Sequence, residues 1–87
     1  PLTSTMIEST SGTAYQGAVV GDTAVLFPVD ALAAFESLEF TTPAATRYIT
    51  GLTPNAGYDV TVNGDTIRVT PGTQATADAG GVLVVRR

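Results

Sequence analysis

The chain has 87 residues, eight acidic side chains against four arginines and a net charge of −4, with 44% hydrophobic residues. That apolar content and a mean hydropathy of +0.24 exclude a disordered polyelectrolyte and suit one small domain over residues 1–87 with a modest core. Histidine, cysteine and lysine are all absent, which removes the commonest general base, disulfides, thiolate metal sites, Schiff-base chemistry and lysine–asparagine cross-links. Arg47, Arg68, Arg86 and Arg87 are too few and too scattered for the basic stripe that nucleic acid or an anionic membrane requires.

No apolar run approaches the roughly eighteen residues of a membrane span, and no signal-peptide pattern is present. The chain opens at Pro1 without an initiator Met, so the expectation is a mature or excised piece of a longer precursor.

In chain order, Leu2 to Ile7 reads as a first strand, followed by a polar loop from Ser9 to Gly12. Ala14 to Val20 and Thr23 to Val29 read as strands joined by Gly21-Asp22, a dipeptide that suits a tight turn with positive φ at its first position. Ala24-Val25-Leu26-Phe27 is apolar on both faces, which places it in the middle of a sheet or under a cover, with Phe27 expected in the core. From Asp30 to Leu38 the alternation breaks. Leu32, Phe35 and Leu38 recur every three residues behind Asp30 as a candidate N-cap, so one short helical turn is expected. Leu38 to Thr42 and Thr46 to Thr50 return as strands around Pro43, and the fifteen threonines fit a β-rich chain.

Tyr58 to Val62 and Asp65 to Val69 flank Asn63-Gly64, a strong hairpin signal. Counting outward from an Asn-Gly turn pairs Val60 with Ile67, Asp59 with Arg68 and Tyr58 with Val69. Tyr58, Val60, Ile67 and Val69 then share one apolar face, and Asp59 and Arg68 form a solvated ion pair on the other.

Just upstream, Gly51-Leu52-Thr53-Pro54-Asn55-Ala56-Gly57-Tyr58 resembles the E–F corner of fibronectin type III and related immunoglobulin-like sandwiches. The resemblance implies that the Tyr58 hydroxyl bonds back to the corner backbone, that Leu52 is a buried anchor and that Pro54 makes the bend. A longer, looser stretch resembles the small β-sandwich tail of heparinase II/III-type polysaccharide lyases and other secreted bacterial carbohydrate-active enzymes. It is carried by Gly21 to Asp30, by Tyr48 to Gly72 and by Ala77 to Val85. That second resemblance implies an accessory module, extracellular or on the cell surface, without the lyase activity. The expected fold is therefore an all-β, immunoglobulin-like or fibronectin III-like antiparallel sandwich of about seven strands with one short helical turn.

Catalysis would have to rest on Asp, Glu, Tyr, Ser or Thr. Glu36 and Glu39 are neighbours only in sequence, and no enzyme is expected. Calcium needs only oxygen ligands, and Asp22, Asp30, Asp65 and Asp78 all fall at turns. None shows the alternating spacing of a calcium loop, so no cofactor is expected, with a structural calcium ion at these turns as the alternative. With no Trp, a sugar-binding platform would fall to Tyr15 and Tyr48.

The final run, Val82-Leu83-Val84-Val85, is apolar on both faces and is the candidate interface, meeting a neighbouring domain or another copy of the chain. The function expected is a non-catalytic accessory or spacer module. A self-associating subunit of a surface layer, filament or capsid decoration and a carbohydrate-binding module are the alternatives.

Overall fold

The structure is a computed structural model that describes residues 4–30 and 34–86. Among these, ten strands follow in chain order: β1 (Ser4–Glu8), β2 (Ser11–Gly12), β3 (Tyr15–Val20), β4 (Thr23–Pro28), β5 (Leu38–Thr41), β6 (Thr46–Ile49), β7 (Gly57–Asn63), β8 (Thr66–Pro71), β9 (Ala75–Thr76) and β10 (Leu83–Arg86). They form two five-stranded sheets, a front sheet in the order β1-β3-β4-β6-β10 and a back sheet in the order β2-β5-β8-β7-β9. The all-β, two-sheet architecture agrees with the sequence. The strand count is higher than expected because β2 and β9 are two-residue pairings, too short to show a period of two.

All pairings are antiparallel except one. β4 and β6 run parallel, from Thr23 opposite Thr46 to Leu26 opposite Ile49. The chain leaves the front sheet after β4, contributes β5 to the back sheet, and comes back to the front sheet as β6.

Among the described residues the expected helical turn is not found. Leu32 lies outside the described residues, and Ala34 to Ser37 have no helical structure. Their backbone is satisfied across the chain instead: Glu36 N–H donates to Thr13 Oγ1 at 3.0 Å and Thr13 N–H to the Ser37 carbonyl at 2.7 Å. This lays Phe35 over one end of the core and leaves Leu38 to begin β5.

Alternation along each strand sorts the core. Tyr15, Leu26, Ile49, Leu83 and Val85 from the front sheet meet Leu38, Phe40, Tyr58, Ile67 and Val69 from the back sheet. Each large aliphatic sealed this way contributes about 1.5 to 3 kcal/mol. Arg47 also faces inward, fully buried in the row between Ala24 and Val85.

Both long hairpins close on Gly-Asp. Val20 pairs with Thr23 around Gly21-Asp22, and Asn63 with Thr66 around Gly64-Asp65. Gly21 and Gly64 carry φ of +61° and +62°, whereas neither aspartate has positive φ, the pattern of a type II′ turn. The second turn is therefore one residue later than an Asn-Gly turn would be. Val60 pairs with Val69 and Thr61 with Arg68, so the expected Asp59–Arg68 pair does not form. Arg68 lies instead opposite Glu39, with 3.9 Å between the charged groups. The neighbouring strand supplies the reason: the β5–β8 ladder continues into a bond from Thr42 N–H to the Asp65 carbonyl, which holds Asp65 in the turn. The inward and outward residues are the same in both registers, because the pairing sum changes by two.

Candidate interaction face

The corner at residues 51–58 is held by backbone bonds. Tyr58, on β7, accepts a hydrogen bond at its hydroxyl from Thr53 N–H at 3.0 Å. Leu52 is buried and its N–H donates to the Gly81 carbonyl, while Pro54 is exposed at the bend. Tyr15 faces Tyr58 across Phe35: the three rings meet edge to face, with centroid separations of 6.2 and 5.5 Å. Beside them a groove of about 320 Å³ is lined by Phe35, Thr53, Ala56, Tyr58 and Pro71, none of which carries a charge.

Tyr15 is only 2% exposed, so this candidate sugar contact is unavailable to a ligand. Its hydroxyl donates to the Thr50 carbonyl at 2.9 Å. Burial, with a smaller contribution from Tyr58, pushes its pKa from 10.0 up to about 12. The two-tyrosine platform therefore does not exist; Tyr48 is half-buried on the other side of the front sheet.

The acidic residues are spread among structural tasks. Asp78 Oδ1 accepts from Gly80 N–H and Val82 N–H, Asp22 Oδ1 from Ala45 N–H, and Asp59 Oδ1 from Thr73 and Gln74 N–H. Glu36 lies in the exposed segment before β5, whereas Glu39 lies within β5 beside Arg68. Among the described residues no three acidic side chains are grouped closely enough to hold a metal ion, and no helix is long and apolar enough to cross a membrane.

Of the terminal run, Leu83 and Val85 are core residues and leave the candidate interface. Val84 points outward from β10 and is 40% exposed, and Val82 is half-buried. Val84 does not stand alone. Following the ladders across the front sheet, it lies beside Tyr48, then Val25, Ala18 and Met6, one outward residue from each of five strands. Val25 is 40% exposed and Met6 68%, and the flanking rows add Phe27 at 42% and Val20. Phe27, expected in the core, belongs to this outer face. The row spans about 19 Å between its outermost strands at about 4.8 Å per strand.

The back sheet provides the contrast. Its outward residues include Asp59, Thr61 and Asn63 on β7, Thr66, Arg68 and Thr70 on β8, and Glu39 and Thr41 on β5. All are polar. One molecule thus carries one polar outer face and one outer face crossed by an apolar row. The sequence marked the double-sided apolarity of residues 24–27 and 82–85, but strand neighbours, which turn two such strands into one patch, are not readable from local pattern. Met6 and Val20 gave no signal of their own.

Comparison with family models, with curated proteins and with solved structures returns no match.

Proposed function

We propose that the chain is a non-catalytic accessory module of an extracellular bacterial protein that docks through the outer face of its front sheet. The observation that carries this reading is the asymmetry of the two outer faces, since a sheet that only had to stay in water would be polar on both. The absence of His, Cys and Lys, the separate positions of Glu36 and Glu39, and the engagement of both the Tyr15 and Tyr58 hydroxyls support a role without catalysis.

The corner from Gly51 to Tyr58 supports kinship with immunoglobulin-like and fibronectin type III sandwiches. The five-on-five strand count and the parallel β4–β6 pair are not features of the seven-strand pattern, so that kinship rests on the corner alone. The likeness to sandwich tails of carbohydrate-active enzymes supports a parent of that kind.

The test is oxidative footprinting of Met6 and Tyr48 in the isolated chain at low concentration and in the intact gene product. Protection of both residues in the intact product is the expected result. Equal oxidation in the two settings would remove the reading.

A further inference from the structure

We infer that this face is occupied by a second copy of the same chain, packed sheet on sheet about a two-fold axis; the inference rests on the docking reading above. The argument is the placement of charge. Among the described residues two charged side chains stand on the outer face of the front sheet: Glu8, in the row of Gln16 and Phe27 at the β1 edge, and Arg86, in the row of Thr46, Thr23 and Val20 at the β10 edge. They occupy diagonally opposite corners, and neither enters an ion pair among the described residues. Val25, on the middle strand and in the middle row, lies at the centre.

An axis lying between two such faces, through Val25 and perpendicular to the diagonal, exchanges the corners. Glu8 of each copy then lies over Arg86 of the other, Val25 meets its own counterpart, and the apolar row is closed from water at both ends. With about 4.8 Å between strands and about 3.3 Å per residue, the diagonal makes the strands of the two sheets cross at about 70°, near the orthogonal class of sheet packing. Such an arrangement is isologous and closes at two copies.

The size of the face sets the strength. Five strands by about five residues give about 24 Å by 17 Å, or about 800 Å² of plan area over two copies before side-chain relief is counted. Specific interfaces bury about 1,200 Å² or more, so the pair is a weak, reversible one with Kd in the range of about ten to hundreds of micromolar. The rim ion pairs fix orientation more than they add affinity.

The experiment is sedimentation equilibrium over a concentration series of the full chain, with far-UV circular dichroism as the folding control. Wild type is expected to pass from monomer to dimer, with Met6 oxidation falling in step. Val25→Glu, which sets two carboxylates together on the axis, abolishes association, and Val25→Thr, nearly isosteric and equally suited to a strand, weakens it. Glu8→Arg and Arg86→Glu each weaken association by about three- to tenfold, and the double swap restores it. A chain that stays monomeric to about 1 mM, a dimer that survives Val25→Glu, or a double swap no tighter than the singles would overturn the inference. Monomeric behaviour with Met6 protected in the intact gene product removes the second copy and keeps the docking reading. Met6 unprotected in both settings removes both.

Discussion

Tyr15 and Tyr58 present phenols to the same end of the core but use them in opposite senses. Tyr15 donates to the Thr50 carbonyl, whereas Tyr58 accepts from Thr53 N–H. Tyr58→Phe leaves that N–H without its partner and is expected to cost about 1 to 2 kcal/mol, read as a lower urea midpoint at unchanged slope. An unchanged midpoint would mean that water replaces the hydroxyl at no cost. Tyr15 adds a pH dependence. Its pKa is raised from 10.0 to about 12, so the native state keeps a proton that the unfolded chain releases near pH 10. Its contribution is complete below pH 10 and is lost as pH rises through 12, about 2 to 3 kcal/mol in all. Unfolding titrations of Tyr15→Phe should lack that part of the alkaline slope. Parallel slopes in the two proteins would refute it.

Turns and close approaches decide how the strands align. A Cβ at Gly17 would run into the Val25 carbonyl, so Gly17→Ala is expected to cost about 1 to 3 kcal/mol through steric strain. At Gly64 the space is open and only the positive φ objects, so Gly64→Ala should cost about 1 to 2 kcal/mol. A combined loss measured by chemical denaturation should be additive, since the two sites lie in different sheets. The hairpin from Gly57 to Pro71 shows what local pattern conveys. Its existence and sidedness follow from alternation, but Asn63-Gly64 and Gly64-Asp65 are both good turns, and the choice belongs to β5, a strand some 25 residues upstream in the ladder that joins Thr41 to Thr66. The same non-local choice hid the outer face. Val25 and Phe27 read as interior because nothing in their own neighbourhood says that no layer covers them. Tyr15 read as free for the converse reason, since its burial depends on Phe35 arriving from the β4–β5 connection.

The two sheets share one set of contacts, with Leu26 fully buried against the back sheet's contribution to the core. Leu26→Ala is expected to cost about 2 to 5 kcal/mol, a large fraction of the about 4 to 13 kcal/mol that a chain of this length holds. Circular dichroism and tyrosine fluorescence should report one coincident transition for the variant, and two separated transitions would show that the sheets come apart independently. The parallel β4–β6 pair extends this coupling to the order in which the molecule can assemble. β3 and β4 are consecutive and can zip as a hairpin, with β1 close by in sequence across the two-residue excursion of β2 into the back sheet. β6 cannot be added until the chain has passed through the other layer as β5, and β10 must then travel back from the far end to pair with β6. Loop closure is thus paid before most native contacts are gained, so refolding should be slow for a chain this short, in the millisecond-to-second range of β topologies dominated by distant pairings. Until β6 arrives, β4 is an open edge carrying Val25, Leu26 and Phe27 in succession, and the nascent chain is most exposed to misassociation at that step.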